Sequence, residues 1–514
     1  MNYRGRALAL ILLLSVVAGA QTTETQLHRL VEVANLIAHG DIARAEALLN
    51  SLPATVSEEP DALNLLGVIR AQQNRSAEAE RLFKLALAAS PQHIGAHINL
   101  SGLLLELSRT TEALTVLVSA HKLAPERSDI NFNLATLFAD TGNFQQALSH
   151  LKLIPRATAT EDYFTLLLKT LIGLNRRDEV HTLLREFATL NSRPETAAEF
   201  ALILAKSGFT DDASRLLLDA QQKTPHSFPV LYALGVIHAG LKRFDEAETF
   251  LTAALNTQPN DVTTLRALAN VARATGKLEK SLAHLIEARK LAPKSPALLY
   301  DFAVTALKMD LLLDALPVFE QLRSSYPNNT AYLFGLAAAR WRKGEPIEAA
   351  RLMREYVALK PQDAAGFHLL GAALLRLNQF DEARDALKAS ITLRPNADVE
   401  YLVGVTYESQ GNRKLAIETF KAVVSARPDH AHALAALGVQ YRETGDYPAA
   451  MRVLERAVEL DPNDLRANYQ LGLVYSKLGE RDKAKKSFAR AEELRSEQRT
   501  QESVILKLIE PPEN

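Results

Sequence analysis

Proline recurs at a fixed interval through most of the chain, and this spacing constrains the fold more than any other feature of the sequence. Successive prolines of the series lie 34 residues apart, except for one step of 33. The series consists of Pro225, Pro259, Pro293, Pro327, Pro361, Pro395, Pro428 and Pro462, and Pro91 and Pro125 lie on the same grid upstream. A repeat period of about 20 to 50 residues is typical of a solenoid built from small stacked units.

Two amphipathic helices are indicated within each interval. In the unit that begins at Ala431, apolar and small residues recur at the i, i+3, i+4, i+7 spacing of one helical face. These residues are Leu434, Leu437, Gly438 and Tyr441. Gly438 carries no side chain beyond hydrogen, so it is expected to let another helix approach closely. The pattern therefore predicts a first helix with one packed face.

The residues that follow predict a sharp turn and a second helix. Gly445 tolerates the left-handed backbone conformation that often ends a helix, and Asp446 is a good capping residue. Pro448 suits the first turn of the second helix, where no amide donor is needed. The packing face of that helix follows at i, i+4 and i+7, as Ala450, Leu454 and Ala457. Pro462 then ends a hairpin that cannot bury both of its faces alone.

The same sparse set of residues recurs 34 positions later in the chain. The matching residues of that unit are Leu471, Gly472, Tyr475, Ala484, Phe488 and Ala491. With these residues at this spacing, the chain resembles the tetratricopeptide repeat (TPR) family. The resemblance implies an all-α fold, a right-handed α-solenoid (superhelix) of about fourteen 34-residue helix–turn–helix TPR-like repeats.

The repeat pattern divides the chain into regions of different regularity. Units are expected to begin near Gln26, Pro60, Ile94, Ser128, Glu161, Pro194, Phe228, Val262, Pro296, Thr330, Ala364, Ala397, Ala431 and Leu465. Residues 60–127 and 228–498 match the TPR pattern well, whereas residues 128–227 form divergent TPR-like repeats. Residues 21–59 are interpreted as a divergent N-terminal repeat or cap. Residues 499–514 are interpreted as a C-terminal capping helix and tail, because a terminal repeat exposes its packing face.

Three residues depart from the repeat pattern. Leu168 stands where a small residue is expected and Val180 where alanine is expected, so a distortion of the stack is predicted there. Pro317 falls within a predicted second helix. Because proline removes one helical hydrogen bond, a local kink is expected over residues 313–319.

The N-terminal segment has the features of an export signal. Arg4 and Arg6 precede an apolar run at residues 7–17, and small residues follow at 18–20. This pattern predicts that residues 1–20 are a signal peptide and that the mature protein begins at Gln21, in the periplasm or outside the cell. The alternative is an uncleaved signal that anchors the protein in the inner membrane. The apolar run is shorter than the roughly 20 residues that span a bilayer, and no stable membrane insertion is expected after cleavage.

Composition excludes several classes of function. The 59 basic and 60 acidic residues are balanced, so the charge gives no reason to expect nucleic acid as a partner. The chain contains no cysteine, which excludes disulfides, thiol catalysis and thiolate metal sites. The exported protein must therefore be held together by packing.

No sequence motif for catalysis or for a cofactor is present. The sequence lacks a glycine-rich phosphate loop, a nucleophile elbow and an HExxH motif. His93 with His97, and His430 with His432, have the spacing of paired metal ligands, but neither pair has an evident third ligand. We therefore expect no metal site and no cofactor, and we expect that the protein is not an enzyme.

The TPR resemblance implies a binding surface on the inner side of the superhelix, lined mainly by the first helix of each repeat. The fifth residue of each repeat is expected to face that side, followed by a second row one to two turns later. The candidate partner-binding residues are Tyr232, Arg266, Tyr300, Phe334, His368 and Tyr401 from the first row, and Asn270, Arg273 and Trp341 from the second. Aromatic and arginine side chains are those that most often anchor interfaces. Ordinary packing of consensus residues is the alternative interpretation of the same row.

Arg266, Asn270 and Arg273 share one helical face and predict a cationic patch flanked by aromatic side chains. Such a patch suits a peptide carboxylate or an acidic side chain, because guanidinium groups bind carboxylates bidentately. The competing interpretation is that these arginines pair with nearby acidic residues on a solvated surface.

These observations favour an exported protein–protein interaction scaffold. The resemblance implies that peptide segments or partner helices bind its concave face, within an envelope, secretion, pilus or polysaccharide-export assembly. The alternative is a periplasmic protein that handles a glycan or a small molecule, with activity assembled at a partner. A cluster of acid and base residues or a long insertion between repeats would favour this alternative, and the sequence contains neither.

Overall fold

A computed structural model of the protein describes residues 24–190 and 192–508. Within these residues the secondary structure consists of helices and turns, without a strand, which confirms the all-α class. The predicted signal peptide lies outside the described residues. The chain divides into two compact units, with the boundary after Pro259.

Within its described residues, the N-terminal unit contains seven helical hairpins and one additional short helix. Its helices are α1 (Glu24–Ala38), α2 (Ile42–Asn50), α3 (Ala54–Ser57), α4 (Pro60–Gln72), α5 (Ser76–Ala89), α6 (Ile94–Glu106), α7 (Thr110–Leu123), α8 (Ser128–Asp140), α9 (Phe144–Leu151), α10 (Glu161–Gly173), α11 (Arg177–Ala188), α12 (Pro194–Lys206), α13 (Thr210–Lys223), α14 (Phe228–Gly240) and α15 (Phe244–Thr257). The short helix α3 lies between the first two hairpins.

The C-terminal unit contains seven further hairpins within its described residues. Its helices are α16 (Val262–Ala274), α17 (Leu278–Leu291), α18 (Pro296–Lys308), α19 (Leu312–Ser325), α20 (Thr330–Arg342), α21 (Pro346–Leu359), α22 (Ala364–Arg376), α23 (Phe380–Leu393), α24 (Ala397–Ser409), α25 (Arg413–Ala426), α26 (Ala431–Thr444), α27 (Tyr447–Leu460), α28 (Leu465–Leu478) and α29 (Arg481–Leu508). Thirteen of the fourteen first helices begin at the predicted residue, and only α1 begins at Glu24 rather than Gln26.

The hairpin of α26 and α27 closes in the way that its sequence predicts. Gly445 has a φ of +82° and ends α26, and the Asp446 side chain accepts a hydrogen bond from the amide of Ala449 at the start of α27. A methyl group added to Gly438 would lie 2.4 Å from Cγ of Leu454, so the two helices are in contact at the glycine. The absence of a side chain at Gly438 therefore sets how closely the helices of this repeat pack.

Within the C-terminal unit, the first helices of neighbouring repeats also contact one another. Such contacts join α18 to α20, α20 to α22, α22 to α24, and α26 to α28. Because these helices are adjacent, side chains at equivalent positions of successive repeats form rows on one continuous face. We call the exposed side of α16, α18, α20, α22, α24, α26 and α28 the first-helix face.

The divergent region contains a shortened second helix. Helix α9 has 8 residues, whereas α7, α13 and α15 have 14 residues each. Pro155 explains the difference. It lies four residues before residue 159, the position expected from the 34-residue spacing after Pro125. Proline disfavours helix at the residue that precedes it, so the helix ends early. The chain then forms a short 3-10 turn at Arg156–Thr158 before α10 begins.

Two other sequence-based expectations concern the second helices α19 and α29, and the local kink at Pro317 remains a prediction. Helix α19 continues through Pro317 as one helix, with Leu313 and Pro317 exposed on the same side. The carbonyl of Leu313, which loses its amide partner, is thus on the solvent side where water can replace the bond. Helix α29 continues from Arg481 to Leu508, so the predicted separate capping helix from residue 499 is the end of the last second helix.

Candidate functional site

Four of the predicted partner-binding residues occupy the same position on successive first helices. Tyr300, Phe334, His368 and Tyr401 are the fifth residues of α18, α20, α22 and α24, and all four are half-buried. Three of their rings contact an aromatic residue of the following second helix: Tyr300 with Phe319 at 6.2 Å, Phe334 with Tyr356 at 5.2 Å, and Tyr401 with Phe420 at 5.7 Å between centroids. The inner edge of each ring therefore contributes to packing, while part of each side chain remains accessible.

Burial sets the protonation state of this row. Burial raises the pKa of Tyr300 and of Tyr401, so both phenols stay neutral and can act as hydrogen-bond donors. Burial also lowers the pKa of His368, although the carboxylate of Asp398 opposes this shift. The row is accordingly an uncharged, aromatic surface at neutral pH.

The predicted cationic patch contains an internal carboxylate. Nε of Arg266 donates to Oδ2 of Asp301 at 2.5 Å, and Nη1 of Arg273 lies 3.5 Å from Oδ1 of the same residue. Nη2 of Arg273 also donates to Oδ1 of Asn270 at 2.6 Å. The Asp301 side chain is 8% exposed, whereas that of Arg266 is 43% exposed. The structure thus brings the three predicted residues together, around a buried partner from α18.

Trp341 lies beside the arginine of the next repeat. The guanidinium of Arg376 is 4.5 Å from the centroid of the indole ring and donates to the carbonyl of Trp341 at 3.1 Å. Arg342 makes the equivalent bond to the carbonyl of Leu307 at 2.8 Å. These arginines tie successive first helices together. The indole Nε1 is a buried donor that bonds to none of the described residues.

Tyr232 belongs to the N-terminal unit. Its ring stacks on that of Phe228 with 6.0 Å between centroids, at the start of α14. Tyr232 is the fifth residue of the first helix α14, as the sequence predicts.

A polar cluster on the first-helix face was not predicted from the sequence. Nη2 of Arg466 donates to Oε1 of Glu408 at 2.8 Å, and Nε2 of Gln440 donates to the same oxygen at 3.0 Å. The cluster joins α24, α26 and α28. Glu408 occupies the twelfth position of its repeat, as do Arg273 and Trp341, so continuing the second row along the sequence would have found it.

The two histidine pairs have structural contacts. Nδ1 of His93 accepts a hydrogen bond from the amide of Ala96 at 3.0 Å and caps α6, and its Nε2 lies 3.0 Å from Oδ1 of Asp61. His430 caps α26 in the same way, with Nε2 3.3 Å from Asp398. Each aspartate lies 32 residues before its histidine. No group of three potential metal ligands occurs among the residues that the structure describes.

In the N-terminal unit, a serine, a histidine and a glutamate that are separated in the sequence lie close together. Ser214 Oγ is 3.0 Å from Nε2 of His238, whose Nδ1 is 2.7 Å from Oε2 of Glu246. This order resembles a hydrolase triad, but Ser214 is 5% exposed and His238 is 2% exposed. Because a nucleophile must reach its substrate, we interpret the three residues as a polar contact of the core.

Several solved structures share similarity with the chain. One is a chain of the APC/C hetero-tetramer Cut9–Hcn1, with 16% identity over 92% of this chain and 94% of that chain, and a TM-score of 0.45. Yeast Tom70 has 15% identity over 86% and 96% of the two chains, with a TM-score of 0.36. MamA from Desulfovibrio magneticus RS-1 has 26% identity over 33% and 97%, with a TM-score of 0.30. No curated protein matched the sequence.

Sequence models of known families match most of the chain. Three tetratricopeptide repeat models match residues 32–94, 300–364 and 368–431, residues 104–170 and 204–270, and residues 465–498, and a fourth, described as TPR repeat, matches residues 438–479. In the part of the chain that the structure describes, no helix is both long and apolar enough to cross a membrane. Because these matches together span more than half of the sequence and coincide with consecutive helical hairpins, the chain belongs to the tetratricopeptide repeat family.

Proposed function

We propose that the protein is an exported interaction scaffold that binds peptide segments or helices of partner proteins on its first-helix face. The observation that carries this proposal is the row of Tyr300, Phe334, His368 and Tyr401, which stand half-buried at one position of four successive first helices. Such a row offers regularly spaced, uncharged, aromatic contacts along an elongated surface. Partly exposed aromatic side chains of this kind provide large contact areas with little loss of rotamer entropy.

The arginine patch adds a site for negative charge at one end of this face. Arg266 and Arg273 carry two positive charges against the single carboxylate of Asp301, so the group retains an excess of one positive charge. The terminal nitrogens of Arg266 bond to none of the described residues, and this side chain is the most exposed of the three charged groups. A carboxylate from a partner could therefore bind Arg266 while Asp301 stays in place.

The role of the arginine patch can be tested by removing its charges in pairs. Arg266→Ala with Arg273→Ala is expected to weaken binding of a partner that uses the patch by at least about tenfold. Asp301→Asn should accompany both changes, because a buried carboxylate without a partner would destabilise the fold. Asp301→Asn alone is expected to tighten binding of an acidic segment, since it releases both guanidinium groups. Partners would first be captured from an envelope extract and identified by mass spectrometry, and affinity would then be measured by titration calorimetry.

The matched control for this experiment is Arg351→Ala. Arg351 lies on the second helix α21, is 61% exposed and pairs with Glu348 of the same helix. It should leave affinity unchanged. Equal affinities for the wild type and the variant with Arg266→Ala, Arg273→Ala and Asp301→Asn would contradict binding at the arginine patch.

Export of the protein can be tested by its mature N-terminus. Because the short apolar run follows two arginines and ends in small residues, signal cleavage is expected after Ala20. N-terminal sequencing of the protein recovered from the periplasm or the medium should begin at Gln21 or within a few residues of it. An intact chain retained in the membrane fraction would instead support the uncleaved anchor.

A further inference from the structure

A cavity of about 160 Å³ opens in the divergent part of the N-terminal unit, between α9, α10 and α11. Its walls are formed by five leucines, Leu148, Leu151, Leu167, Leu171 and Leu183, together with the ring of Tyr163. All six side chains are buried. The hydroxyl of Tyr163 already donates to the carbonyl of Leu151 at 3.4 Å, so these buried walls offer apolar contacts. The polar residues that also line the cavity are Lys152, Arg156, Glu179, Thr182 and Glu186.

Two departures from the repeat pattern explain why the cavity exists. Helix α9 ends at Leu151, so the wall that a second helix of normal length would supply is missing. In addition, fully buried Leu168 occupies the crossing point of α10 and α11, where six of the other repeats have a glycine in contact with the second helix. Because the leucine side chain needs space, α10 and α11 cannot approach as Gly438 allows α26 and α27 to do.

The charged groups at the mouth of the cavity are not equivalent. Glu179 pairs with Arg176 at 2.9 Å, and Glu186 pairs with Arg156 at 3.5 Å. Lys152, which is exposed and lines the mouth, forms no ion pair with any of the described residues. One uncompensated positive charge therefore stands at the entrance of an apolar chamber.

From this arrangement we propose that the cavity binds a small carboxylic acid with about six carbon atoms in total. An apolar cavity of about 150 Å³ is large enough for a benzene molecule, which has the same number of carbons. The apolar group fills the space between the leucines, and the carboxylate forms a charge-assisted contact with the Lys152 ammonium. This site lies in the N-terminal unit and does not depend on partner binding at the first-helix face.

The same chemistry is presented by a free acid and by the last residue of a peptide that ends in leucine. Titration calorimetry of the purified protein with hexanoate, with hexanamide and with an acetylated tetrapeptide ending in leucine distinguishes the two sources. Hexanoate should bind at one saturable site, with a dissociation constant on the order of 1 mM, as expected for so small a ligand. Hexanamide, which has the same shape without the charge, should bind about tenfold more weakly. Tighter binding of the peptide than of hexanoate would identify a chain end as the ligand, and binding of hexanoate alone would identify a free acid.

Two variants test the two halves of the site separately. Lys152→Glu should weaken hexanoate binding by at least about tenfold, because repulsion between two carboxylates replaces the charge contact, and it should leave uncharged hexanamide unaffected. Leu183→Trp should fill the cavity and abolish binding of both ligands. The matched control is Lys206→Glu, since Lys206 is also exposed at the C-terminal end of a helix in this unit and does not line the cavity.

The proposal is overturned if hexanoate shows no saturable binding, if hexanamide binds equally well, or if Lys152→Glu behaves like Lys206→Glu. Circular dichroism verifies that each variant is folded. Should Leu183→Trp not fold, the Lys152 comparison decides alone, because that side chain lies at the surface.

Discussion

Replacing Phe420 by alanine is expected to lower the free energy of unfolding of the C-terminal unit by about 3–5 kcal/mol. The Phe420 side chain is fully buried in α25, and its ring packs over Gly404 of α24, beside Ala436 and Leu437 of the next repeat. Its removal leaves a cavity that rigid helices cannot close. Urea unfolding followed by circular dichroism measures the loss, and Leu313→Ala serves as the control because Leu313 is 89% exposed. A loss below about 1 kcal/mol would contradict the packing described here.

The contact between Gly404 and Phe420 provides a second check of this result. A methyl group on Gly404 would lie 2.4 Å from Cε1 of Phe420, so Gly404→Ala should destabilise the wild type. In the Phe420→Ala background the clash disappears, and the better helix propensity of alanine should make the same change neutral or stabilising. A double-mutant cycle therefore should show coupling between the two positions. Additive effects would show that the two helices do not meet at this glycine.

Ala450→Leu is expected to destabilise the last repeats by about 1–3 kcal/mol through overpacking. Ala450 is fully buried in α27 and contacts a cluster that includes Leu454, Leu471 and Tyr475. The space around it cannot accept three additional carbon atoms without movement of a helix. The control is Ala489→Leu, since Ala489 lies on the exposed side of α29.

The effect of Ala450→Leu should be local. In a solenoid each repeat contacts only its neighbours, so the loss of protection from hydrogen exchange is expected within α26–α29 and not in the N-terminal unit. Hydrogen exchange measured by mass spectrometry would locate the change. An equal loss of protection from hydrogen exchange in both units would show that the effect of the substitution is not confined to neighbouring repeats.

The sequence predicted which residues of the candidate site share a row, but it did not predict which residues contact one another. The period of the sequence was sufficient to place Tyr300, Phe334 and Tyr401 at one position of successive first helices, because that position depends only on the start of each helix. It could not show that Asp301 stands between Arg266 and Arg273. Asp301 lies at the sixth position of its repeat, and its contact with α16 depends on how far one repeat turns relative to the next.

The sequence by itself determined the helical hairpins and where they begin, because these depend on interactions between near neighbours in the chain. The 3.6-residue spacing of apolar side chains, the left-handed glycine at residue 445 and the capping aspartate at residue 446 all act within one or two helical turns. The uninterrupted helix α29 also follows local rules, since residues 495–503 contain neither glycine nor proline.

Only the tertiary structure decided how neighbouring hairpins meet. The buried Asp301 between two arginines, the bond from Arg466 to Glu408 across three first helices, and the cavity lined by Leu167 and Leu183 all join residues of different helices. Such features depend on distances and angles between packed helices, and a repeating sequence pattern leaves these undetermined. The arginine patch and the leucine-lined cavity, which are the two proposed ligand sites, both depend on these distances between helices rather than on the repeat pattern.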